Sequence, residues 1–164
     1  MSTLATHTAL SAWSGVSAFL VLLILTGLFF LAARALGRGR FAALLLALYA
    51  GYALYSTFAY ASFLPTAPPV TALLAHALLY GAFVVAFYIV LRRMVVSDFL
   101  HISLIGFVVL SFAGAAFLMA LAYHVLAVND VYRFTPAIQA LFAPKAYFFW
   151  WFSAPAIGLF LFAR

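Results

Sequence analysis

Five long apolar stretches fill most of this chain, and its only two carboxylates, Asp98 and Asp130, both fall between them; there is no glutamate. Seventy per cent of the residues are hydrophobic, 6% are charged and the mean hydropathy is +1.26. Soluble domains are about one-quarter charged, so no water-facing surface can be built from this composition. A hydrocarbon core of about 30 Å needs about 20 apolar residues per helix, and only helices or closed barrels satisfy the backbone there. The alternating pattern of barrel strands is absent. The expected fold is all-α, a polytopic transmembrane bundle of about five spanning helices, with residues 1–164 forming a single integral-membrane domain.

The first span is expected from about Trp13 to Leu36, followed by a basic turn of Arg34, Arg38 and Arg40 around Gly37 and Gly39. A second runs from about Phe41 to Leu64 and is closed by Pro65, Pro68 and Pro69, and a third from about Val70 to Leu91, ended by Arg92 and Arg93. The fourth covers about Phe99 to Val128, and the fifth about Ala146 to Ala163. Between these two, Thr135 before Pro136 has the form of an N-cap and first helical residue. Phe134, Ile138, Leu141 and Phe142 share one side, which predicts a short external interfacial helix over about 135–143.

With the amino terminus outside, Arg34, Arg38, Arg40, Arg92, Arg93 and Arg164 face the cytoplasm while Arg133 and Lys145 do not, in keeping with the positive-inside bias. This predicts a bacterial-type plasma (inner) membrane with the carboxyl terminus cytoplasmic. Although the formal charge is +6, the basic residues are scattered at span ends without forming a stripe, so nucleic acid is not an expected partner. The first charge follows the first apolar run, which argues against a cleavable signal peptide. With no cysteine, disulfides, thiolate metal sites and Cys nucleophiles are excluded.

The polar residues inside the spans are few. His76 lies about five residues inside the outer end of the third span and His124 about four inside that of the fourth, each roughly 6–9 Å below the surface. Paired imidazoles at equal depth can ligate a b-type haem, a pigment or a metal ion. His124 continues a small-residue stripe through Ala113, Ala116 and Ala120, whereas His76 continues an aromatic one through Tyr80, Phe83 and Phe87. The commoner role of such histidines is a hydrogen bond to a tyrosine or carbonyl on the next helix. His101 and His7 are expected in solvent. In the second span Tyr49, Tyr52, Tyr55 and Phe58 recur every three residues, either as a contact face or as the lining of a polar cavity. Pro155 cannot donate to the carbonyl of Trp151 and is expected to kink the fifth helix.

With no carboxylate in the membrane, hydrolysis, transfer chemistry and ion coupling are disfavoured. Lys145, at the edge of the fifth span, is badly placed for a Schiff base. Asp130 is expected to pair with Arg133, and Asp98 with Arg92 and Arg93, as exposed ion pairs. Ser111 with Ala115, Ala116 with Ala120, and the Gly51 region all permit close helix approach. The leading expectation is a non-catalytic subunit or assembly scaffold of a larger membrane complex, packed against other membrane proteins or a second copy of itself. The alternatives are a single-haem or pigment-binding electron-transfer subunit using His76 and His124, and an uncoupled path for a small neutral solute.

Overall fold

The computed structural model describes residues 2–60, 63–94, 102–126, 128–132 and 134–162, with side chains described from residue 19 onward except that of Asn129. It is 85% helix, with no strand among the described residues. The helices are α1 (Ser2–Leu36), α2 (Arg38–Ser56), α3 (Pro69–Met94), α4 (Leu104–His124), α5 (Pro136–Phe142) and α6 (Lys145–Phe162), with a 3-10 turn at Val128–Asp130. Four of these, α1, α3, α4 and α6, are long and apolar enough to cross a membrane. The fifth expected span, α2, falls short of that apolarity because Arg38 and Arg40 open it and Tyr49, Tyr52 and Tyr55 occupy its far half.

The helix ends differ from the sequence expectation for local reasons. α2 stops at Ser56 instead of running to Leu64. The Ser56 and Thr57 hydroxyls turn back onto the Ala53 carbonyl, each at 3.0 Å, and so satisfy a terminal acceptor that another helical turn would have used. α4 is shorter at both ends than the stretch 99–128. At its start Ser103 is extended and its hydroxyl accepts the Gly106 N–H at 3.1 Å, a side-chain N-cap. α5 begins as expected, with Thr135 at the N-cap and Pro136 in its first turn. Ile138 and Phe142 are each 1% exposed, but Leu141 turns outward at 37%.

α4 is the central helix. α1 and α6 pack on it from two sides, α2 lies chiefly against α3 and reaches α1 and α6, and α3 is outermost. Glycines set the spacing. A Cβ on Gly158 would meet Leu110 at 2.8 Å, and one on Gly106 would meet Phe162 at 3.3 Å, so α4 and α6 run antiparallel in a constant register. At Gly114 the space is taken by the Phe29 ring at 2.9 Å and by Leu45 at 3.0 Å, where α1, α2 and α4 converge. At Gly51 it is taken by Val84, whose backbone nitrogen lies at 3.1 Å.

In this arrangement the small residues expected to meet a partner are used within the chain. Ala115, Ala116 and Ser111 are 0% exposed, Ala120 is 1% and Ala113 is 6% exposed, and Gly51 is buried. Ser111 satisfies its hydroxyl on the Phe107 carbonyl at 2.6 Å. The ends of the bundle differ in charge. Arg34, Arg38, Arg40, Arg92 and Arg93 gather where α1 ends, α2 begins and α3 ends, whereas Asp130 and Lys145 lie at the opposite end.

Candidate functional site

The tyrosine stripe of α2 holds helices together. Tyr49 directs its hydroxyl to α6, where it donates to the Phe152 carbonyl and accepts the Ala156 N–H at 3.2 Å. These two groups are four residues apart, the two ends of one helical rung, and they bracket Pro155. The Tyr49 ring packs on Phe117 and Phe152 at 4.8 and 5.1 Å between centroids. Tyr52 meets Phe152 edge-on at 5.3 Å. From α3, Tyr80 donates to the Leu48 carbonyl at 3.2 Å. α6 continues through Pro155 to Phe162, and Pro155 itself is buried.

The two candidate ligand histidines are held by different partners. His76 places Nδ1 2.8 Å from the Tyr55 hydroxyl. Its Nε2 has no hydrogen bond among the described residues. The ring borders a cavity of about 250 Å³ whose other walls are Thr66, Pro69, Ala72, Leu73, Val125, Leu126 and Asp130. This is the one hollow among those described that combines an imidazole, a carboxylate and a hydroxyl. It forms because the α2–α3 loop and the turn after α4 meet at the same end of the bundle.

His124 sits instead in a clasp around α5. Its Nε2 lies 2.8 Å from the Phe142 carbonyl and therefore carries the proton, since a carbonyl can only accept. Trp151 donates its indole N–H to the Leu141 carbonyl at 2.9 Å, so two of the open acceptors at the end of α5 are capped by side chains of α4 and α6. Phe148 packs edge-on to His124 at 5.0 Å between centroids. The nitrogen of His124 left over is Nδ1, whereas that of His76 is Nε2.

Tyr123 is 7% exposed, stacked on Phe142 and tilted against Phe134, and its hydroxyl has no partner among the described residues. No group of three or more metal-ligating side chains forms among the described residues. Asp98, His101, Arg133 and Arg164 lie outside the described residues, as does the side chain of His7, so the two expected ion pairs and the solvent placement of those histidines fall outside them too. Sequence reasoning passed over Gly114, Trp151 and Asp130 as site residues. Only Asp130 carried a usable signal, as one of two carboxylates in the chain.

No family model, no curated protein and no solved structure matches this chain.

Proposed function

We propose that the chain is a non-catalytic integral membrane subunit or assembly scaffold that crosses a bacterial-type inner membrane five times, amino terminus outside, with α5 lying at the outer interface. The observation that carries this reading is the contrast among the glycines. Gly51, Gly106, Gly114 and Gly158 are each occupied by a neighbour within about 3 Å, whereas Gly27 and Gly81 have nothing within 4 Å of a Cβ position. A glycine inside a helix costs roughly 0.5–1 kcal/mol relative to alanine, so these two lack an internal reason. In a bilayer, where apolar faces gain nothing by leaving lipid, small residues are what let one helix approach another.

Gly81 lies beside the exposed Ala82 and Ala86, among the exposed Leu78, Val85 and Ile89 of outermost α3. Such a shallow apolar groove suits a transmembrane helix of another subunit or of a second copy. Gly81→Leu and Gly27→Leu fill open space and leave the bundle intact. Loss of co-purifying subunits, or of self-association, in either variant supports the proposal; unchanged association in both variants refutes it. Ala116→Leu is the wrong probe, because its site is internal.

A cofactor-bearing electron-transfer subunit is the second reading, favoured by His76 at the cavity wall with Nδ1 held by Tyr55 and Nε2 unbonded. Fixing one imidazole nitrogen by a hydrogen bond orients the other for ligation. A haem or pigment so bound would give a reduced-minus-oxidised spectrum that disappears in His76→Ala. A colourless wild-type protein removes this reading.

A further inference from the structure

The basic residues, scattered along the sequence, converge in the fold. Tyr80 bonds Leu48 and His76 bonds Tyr55, so α2 and α3 run antiparallel, and with Gly51 set against Val84 that register brings Arg40 level with the last turn of α3. Arg92 and Arg93 occupy that turn, and the three side chains line one cleft of about 270 Å³. Arg40 also borders, with Arg38, a hollow of about 520 Å³ around Gly37 and Gly39.

Half of this cluster opposes helix electrostatics. Arg92 and Arg93 suit the negative end of α3, but Arg38 and Arg40 stand in the first turn of α2, at its positive end. That turn has no acidic residue, and its N-cap, Gly37, at φ 80°, makes no side-chain hydrogen bond to it. The first N–H groups of α2 therefore have no side-chain cap and sit among guanidiniums. Among the described residues the sole acidic side chain, Asp130, borders the His76 cavity at the far end. Asp98, which follows α3 in the sequence and lies outside the described residues, could offset only one of the four arginines, so like charges brought together on two helices, beside a helix start with no side-chain cap, call for a further anion.

We propose that Arg40, Arg92 and Arg93, with the start of α2, bind a phosphate group, that of an anionic phospholipid headgroup. Guanidiniums match phosphate oxygens in paired hydrogen bonds, a helix N-terminus adds N–H donors, and basic pockets between transmembrane helices at the membrane surface are suited to anionic headgroups. The missing side chain of Gly37, with nothing within 4 Å of its Cβ position, leaves the backbone there open to the ligand. The surrounding positive charge repels the ammonium of a zwitterionic headgroup and selects a net-negative lipid. This site is independent of the docking face on α3.

The test uses the full chain in nanodiscs of mixed phosphatidylcholine and phosphatidylglycerol, with the lipid retained after mild detergent extraction measured by mass spectrometry. Wild type is expected to retain phosphatidylglycerol preferentially, and each of Arg40→Gln, Arg92→Gln and Arg93→Gln to reduce that preference about fivefold. Lys145→Gln, at the other end, is expected to change nothing, and the triple lysine variant to keep part of the preference. If millimolar inorganic phosphate displaces the lipid while arginine dependence holds, the site stands and its occupant is soluble phosphate. Equal retention by wild type and all three glutamine variants, each verified as folded by circular dichroism, overturns the proposal.

Discussion

Tyr49→Phe isolates one hydroxyl. The ring keeps its contacts with Phe117 and Phe152, while the donation to the Phe152 carbonyl and the acceptance from the Ala156 N–H are both lost. Interhelical hydrogen bonds in membrane proteins contribute on average about 0.6 and at most about 1.7 kcal/mol each, so the pair is worth about 1–3 kcal/mol. The lower figure applies if α6 relaxes and closes the rung directly, because Phe152 O and Ala156 N are natural helical partners. The upper figure applies if buried Pro155 and the packing around it hold the rung open. The assay is reversible unfolding in mixed micelles, with Tyr52→Phe as the control, since Tyr52 contributes a ring contact to Phe152 at 5.3 Å. Tyr80→Phe, which loses one bond of 3.2 Å, should fall between them. A Tyr49→Phe loss no larger than that of Tyr52→Phe would refute the idea that the hydroxyl ties α2 to α6.

Gly51→Ala should destabilise by about 1–3 kcal/mol, because its Cβ would lie 2.6 Å from Val84 Cγ2 and 3.1 Å from the Val84 nitrogen, and backbone cannot rotate away. Gly81→Ala, with open space, should be neutral or stabilise by up to about 1 kcal/mol in the same assay. Gly114→Ala should also be costly, since it pushes on Phe29 and Leu45 together. His124→Ala frees the Phe142 carbonyl and should raise amide exchange and proteolysis around α5, with Trp151→Phe giving a weaker version; unchanged protection of residues 136–142 in both would dissociate the clasp from the stability of α5.

The helical character of the chain was legible because it follows from composition and run length, which the bilayer constrains directly. Helix ends were less so. The stop at Ser56 depends on hydroxyls that compete for carbonyls, and the start at Leu104 on a serine whose capping role is hidden within an apolar run. For the tyrosines, spacing places Tyr49, Tyr52 and Tyr55 along α2 but cannot say which carbonyl lies opposite. That is settled by register, so the contact face was readable and the reach of Tyr49 into α6 was not. A stripe through Ala113, Ala116 and Ala120 likewise signals close approach without saying that the neighbours belong to the same chain. Gly114, about 100° around the helix from Ala113, marks where α1 and α2 press in. Arg40 and Arg92 are far apart in sequence, and only the α2–α3 register brings them into one cleft.

The modest apolarity of α2 bears on biogenesis. A segment that begins with two arginines and carries three tyrosines gains little by entering lipid alone, yet in the finished bundle Phe41, Ala43, Leu45 and Ala47 are 0% exposed. Its place is secured by neighbours rather than by its own partition free energy. In the five-pass reading, α2 therefore enters the membrane as one arm of a hairpin with the more apolar α3, so that lateral release from the insertion machinery waits until Met94 has been made.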